Sequence, residues 1–199
     1  VEILSEKIRE EKPVRVIGDY DIDGVTATYI LLKGFKRLGA NVDTYIPDRI
    51  ADGYGIHNHL IEKAKEDGVD TIVTCDNGIS AADQIAFAKK MGMTVVDTEE
   101  GRKYKLPLAD AIINPKQSDC TYPNKNICGA VVAMKLVFAL YEKYGIPERE
   151  KEDYLEPAAI ATVGDIMDLQ GENRILVKEG LLRLPHTKNK GLKALIRAI

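Results

Sequence analysis

The feature that most restricts this 199-residue chain is an alternation over its first 115 residues, where short β-branched runs take turns with amphipathic stretches. Such alternation marks βαβ units wound around a parallel sheet. Strands are expected at 14–17, 41–46, 71–74, 94–96 and 111–113, each rich in Val, Ile or Thr. Helices are expected at 26–38, 56–66 and 81–91, each running into a glycine (Gly39, Gly68 or Gly92) of the kind that ends helices. Beyond Pro115 the strand signal stops, and 130–144, 154–162, 173–184 and 192–198 read as helices. The expected fold is α/β: a parallel sheet of about five strands flanked by helices, followed by a helical cap or linker.

Composition narrows the function classes. With 45% apolar and 30% charged residues the chain can bury a core without disulfide or metal staples, which excludes disordered and fibrous classes. No 18-residue apolar run is present and the acidic start at 1–7 is not a targeting leader, so no membrane association and a cytoplasmic location are expected. Cys75, Cys120 and Cys128 lack CxxC spacing and read as buried thiols of a reducing compartment. The 28 basic and 31 acidic side chains leave a net charge of -3. That balance argues against holding nucleic acid by bulk positive charge, so any phosphate chemistry must be local. Only His57, His59 and His186 supply imidazole, and the His57-x-His59 pair reads as a solvated helix start.

Aspartates fall where strands end. Asp19, Asp21 and Asp23 follow the first strand, and Asp76 follows the third. In open α/β sheets the carboxyl ends of the strands line the binding crevice, so these acids are expected to converge there. If extended, Asp19, Asp21 and Asp23 would point to one side, with Gly24 turning the chain into the next helix. Several carboxylates at short range raise one another's pKa unless a cation intervenes, and hard divalent ions are the natural partners of oxygen donors. Two such ions would suit metal-assisted phosphodiester hydrolysis. An EF-hand is rejected, because the position of its bidentate glutamate is Ile30 and the flank is a strand. Asp165, after Gly164, reads on its own as a helix terminus.

Three segments, Gly18–Ala27, Tyr45–Arg49 with Asp52–Gly55, and Thr74–Ile79, resemble the first motifs of the DHH phosphoesterase superfamily. Asn114–Lys116, Tyr122–Pro123, Cys128–Ala133 and Thr162–Asp165 look like its RecJ branch. The resemblance covers essentially the whole chain. It implies a single-strand-specific exonuclease that degrades DNA from the 5′ end with Mn²⁺ or Mg²⁺ in recombination and repair. It also implies metal ligands at Asp21, Asp23, Asp76 and Asp165, with Asp19 beside them, and phosphate contacts at Arg49 and Lys116. A catalytic domain over 1–170 and the start of a helical linker over 171–199 are expected, acting as a monomer with single-stranded DNA and possible repair or replication proteins as partners. Other members imply two alternatives: hydrolysis of nanoRNA, 3′-phosphoadenosine 5′-phosphate or cyclic dinucleotides, and a non-catalytic scaffold.

One motif departs from the family. No Asp-His-His occurs, and Thr94-Val95-Val96-Asp97-Thr98-Glu99-Glu100-Gly101 stands in its place. The resemblance implies that the motif and a short loop precede an acidic, glycine-containing stretch before Leu106-Pro107, so a motif loop belongs between Val95 and Val96, of about ten residues by connection length. Alternatively Asp97 is the surviving aspartate and both histidines are lost, leaving a weakened or inactive site.

Overall fold

A computed structural model describes residues 1–53, 55–77, 81–98 and 107–198. Its strands are β1 (Val14–Ile17), β2 (Val42–Tyr45), β3 (Thr71–Cys75), β4 (Thr94–Thr98) and β5 (Ala111–Ile113). All pair in parallel in the order β2-β1-β3-β4-β5. The chain leaves β1 in one direction to make β2 and later returns to its other side to make β3. The β1/β3 junction is therefore the point where strand order reverses, and a crevice opens there at the strands' carboxyl ends.

The helices are α1 (Glu2–Arg9), α2 (Ile22–Arg37), α3 (Asn58–Glu66), α4 (Ala82–Lys90), α5 (Gly129–Lys143), α6 (Leu155–Gly164), α7 (Gly171–Arg183) and α8 (Lys190–Ala198). They cover both faces. Val16, Val73, Cys75 and Val96 meet Ala27, Leu31 and Phe35 of α2 and Ala130, Ala133 and Val137 of α5. Ile17, Ile72 and Val95 meet Ile61 and Ala64 of α3 and Ile85 and Ala88 of α4. Burial on both faces explains why β3, Thr-Ile-Val-Thr-Cys, carries no exposed residue. Among the described residues no helix is long and apolar enough to cross a membrane.

Two expectations are revised. Helix α1 was not foreseen, although Leu4 and Ile8 sit one turn apart and are both buried. Helix α2 begins at Ile22, four residues early, because Asp21 caps it: Gly24 N–H donates to Asp21 Oδ1 at 2.8 Å. Asp19, Asp21 and Asp23 are therefore not an extended ladder, and Gly24 lies inside the helix. Strand β4 runs through Val95 and Val96, which pair with Ile72 and Val73.

Candidate active site

The turn after β1 is built around a close approach. A Cβ on Gly24 would stand 2.6 Å from the Asp19 backbone nitrogen and 2.7 Å from its Cα, so only glycine lets the first turn of α2 fold over Asp19. Asp19 is fully buried and neither carboxylate oxygen has a hydrogen-bond partner of ordinary geometry. Burial pushes its carboxyl up from the usual range, with the charge of Asp21 adding to the rise; the Tyr20 N–H and Arg49 oppose it.

Asp23, also buried, is held from the far side of the core. Its oxygens accept N–H groups of Gly129 (2.6 Å) and Ala130 (2.8 Å), the first residues of α5. A helix N-terminus favours an anion at this place. Burial still dominates and pushes the carboxyl up to about 6; the N–H donors and the Cys128 thiol lower it, and the charge of Asp165 adds to the rise. Beside Asp23 the Cys128 thiol is itself driven up, by burial and then by that carboxylate.

Asp76 follows β3 in a left-handed conformation, φ 62°. For a non-glycine residue this costs about 1 kcal/mol, a strain typical of functional turns. A methyl group on Gly129 would stand 3.0 Å from Asp23 Oδ2 and 3.3 Å from Asp76 Oδ1, so both carboxylates flank one point. The next residue ties the two strand ends together: Asn77 Nδ2 donates to Gly18 O at 2.7 Å. Asp19 and Asp76 thus leave neighbouring strands side by side.

Of the other expected residues, Asp165 caps the C-terminus of α6, half-buried, and its charge is felt at Asp23. Asp21 is exposed and engaged as the cap of α2. Arg49, on the segment after β2, lies over the Tyr20 ring at 5.3 Å and acts on Asp19. Lys116 follows β5, with β4 between it and β3, and its backbone N–H donates to Asn114 Oδ1 at 2.7 Å. Asp97 lies inside β4 and accepts a hydrogen bond from Thr74; its register partners place it on the α3–α4 face with Ile17, away from Asp23. Sequence reasoning missed the N-terminus of α5 and Asn77. The first had a signal, Gly129 and Ala130 opening a long apolar helix, but nothing in the text pairs them with Asp23.

The segment after β2 is acidic too, yet saturated. Asp48 Oδ1 accepts the N–H groups of Ile50 and Ala51, each at 2.8 Å. Asp52 accepts from Asp48 N–H (2.8 Å) and Tyr45 Oη (3.1 Å) and meets His59 Nε2 (2.9 Å). Both carboxyls are held below their usual range, chiefly by these backbone donors.

At the β1/β3 crevice every acid is an oxygen donor, and Asp19 is a buried carboxylate with open lone pairs. That set suits a hard divalent cation. Among the described residues no three acidic, histidine or cysteine side chains enclose such an ion as they stand.

The sequence profile of the DHH family, N-terminal domain, matches residues 13–162. The chain belongs to the DHH family. Within it, the single-stranded-DNA-specific exonuclease RecJ of Bacillus subtilis is 40% identical over 195 residues, covering 98% of this chain and 24% of that protein. RecJ of Escherichia coli is 36% identical over 208 residues, covering 98% of this chain and 36% of that protein. The chain thus spans roughly a quarter to a third of the length of these relatives. A crystal structure of exonuclease RecJ bound to manganese superimposes with a TM-score of 0.90 at 36% identity, over 99% of this chain and 50% of that one. The 208-residue alignment is longer than this chain's 199 residues and so includes positions this chain lacks.

Proposed function

We propose that this DHH domain carries out divalent-cation-dependent phosphodiester hydrolysis, as a 5′ to 3′ exonuclease on single-stranded DNA in recombination and repair. The observation that carries this reading is the buried, unpartnered Asp19 beside the facing carboxylates of Asp23 and Asp76 at the strand-order reversal. The RecJ relatives supply the substrate class. When bound, Mn²⁺ or Mg²⁺ supplies charge neutralisation of a phosphoryl oxygen and activation of the attacking water. Asp23, Asp76 and Asp165 are its ligands in this reading, with Asp21 at the rim and Asp19 beneath. The α5 N-terminus orients Asp23, and the Asn77 bond to Gly18 sets the spacing of Asp19 and Asp76. Arg49 receives a backbone phosphate, and Lys116 meets the strand farther from the crevice. The chain acts as a monomer in the cytoplasm, with repair or replication proteins as partners.

The test is single-stranded DNA labelled at either end, incubated with the chain and Mn²⁺. Mononucleotides released from the 5′ end are expected. Asp76→Ala should lower turnover on the order of 100-fold or more with an unchanged circular dichroism spectrum. A folded, fully active Asp76→Ala chain overturns the site. Cation binding without turnover on any substrate overturns the enzyme reading in favour of a scaffold.

A further inference from the structure

Helices α2, α3, α4 and α5 each close on a left-handed glycine just past their last turn: Gly39, Gly68, Gly92 and Gly145, with φ of 79°, 78°, 75° and 65°. The N–H groups of that glycine and of the next residue turn back onto the helix, as Gly39 N–H does to Lys36 O (3.1 Å) and Ala40 N–H to Phe35 O (3.0 Å). Helix α6 closes with the same pair of bonds, Ile166 N–H to Val163 O and Met167 N–H to Thr162 O, both 3.1 Å. Its left-handed residue, however, is isoleucine, φ 54°. A β-branched side chain is crowded in that conformation, so Ile166 costs stability that glycine would not. Helix α1 also departs from glycine, but with Glu11, whose unbranched charged side chain belongs in solvent. Ile166 recovers nothing by packing, since it is 90% exposed.

This costly residue stands beside the crevice. It directly follows Asp165, whose charge reaches Asp23. A Cβ on Gly164 would stand 2.7 Å from Ile22 Cγ2, so the last turn of α6 lies against the first turn of α2. There Ile22 and Val25 are 44% and 42% exposed, and Val163 of α6 is 49% exposed. Isolated exposed aliphatics are ordinary; four on two touching helix ends, one held against its backbone preference, mark a contact surface. A nucleotide suits such a rim, because its phosphate belongs with the crevice while the faces of its base are apolar. Resting on the single-strand reading above, we propose that Ile166, with Ile22, Val25 and Val163, forms an aliphatic shelf on which a nucleobase of the single-stranded substrate lies.

The test is steady-state turnover of oligothymidylate by the full chain with Mn²⁺, alongside the same strand made abasic at its first three nucleotides. Ile166→Gly should raise the melting temperature by about 3 °C, since it removes the crowding. The same variant should raise KM for oligothymidylate about 10-fold, with the loss carried by KM rather than kcat. Ile166→Leu should restore the parent's KM. On the abasic strand the parent's KM should already be high, and Ile166→Gly should raise it no further. An unchanged KM in Ile166→Gly, or an equal rise on both strands, overturns the base shelf and leaves the exonuclease reading standing; the equal rise would assign the rim to the sugar-phosphate backbone or to another protein segment. A lower melting temperature in Ile166→Gly also overturns it, because the isoleucine would then be serving the fold. No turnover by the parent overturns the exonuclease reading and the shelf together.

Discussion

Two aspartate-rich turns leave adjacent strands at the same edge of the sheet, one after β1 and one after β2, and they resolve their charge in opposite ways. In the turn after β2, Asp48 and Asp52 are saturated by backbone, tyrosine and histidine groups, and their carboxyls are held low. In the turn after β1, Asp19 and Asp23 are buried and driven high. Both segments look alike as text, with Asp, Gly and a strand before them. What separates a structural turn from a ligand site is whether the fold satisfies the acid, and that is a property of distant residues.

The glycines sharpen the contrast most. Gly24 is required for space, so Gly24→Ala pushes a methyl into the Asp19 backbone and should destabilise the chain by about 3 kcal/mol in urea unfolding. Gly53 is required for its φ of 77°, with nothing nearer its Cβ position than His57 Nε2 at 4.0 Å, so Gly53→Ala should cost only about 1 kcal/mol. Equal losses would mean that the fold of α2 over Asp19 is looser than described.

Next come the acids themselves. Because the Asp23 carboxyl titrates higher folded than unfolded, the folded cation-free chain binds the extra proton. Its stability should therefore fall as pH rises from about 4 to about 6, by on the order of 2 kcal/mol. Asp23→Asn removes that loss but sets its amide NH2 against one of the two α5 N–H donors, so its stability should vary less with pH between 4 and 6 than the parent's. Asp48 and Asp52, titrating lower folded than unfolded, contribute stability above the usual carboxylate range that is lost as pH falls through it. Asp52→Asn should lower the melting temperature at neutral pH. Unfolding midpoints at about pH 3, 4, 6 and 7.5 in chelator, for the parent and for Asp52→Asn, measure both signs, and a shared sign breaks the comparison. The smallest effect belongs to His59→Gln, which keeps a polar partner near Asp52 and should move the neutral-pH melting temperature barely at all.

Much of this was legible in the text. The spans of β1 and β5 follow from Val-Arg-Val-Ile and Ala-Ile-Ile to the residue, because buried parallel strands are written in β-branched runs. The convergence of Asp19, Asp23 and Asp76 follows from chain direction alone. The geometry within 19–24 did not, since Asp-x-Asp-Gly serves a capped helix as readily as an extended turn. Nor could the Thr74–Asp97 bond be read, because it depends on a register between strands 23 residues apart.

The bond from α5 to Asp23 reaches across 106 residues. Everything between, including four strands of the sheet, must be in place before that acid finds its donors, so the crevice is among the last features a growing chain can complete. A polypeptide still emerging from synthesis carries Asp19 and Asp23 as ordinary solvated acids. The destructive chemistry proposed for this domain is thereby withheld until folding has gone nearly to completion.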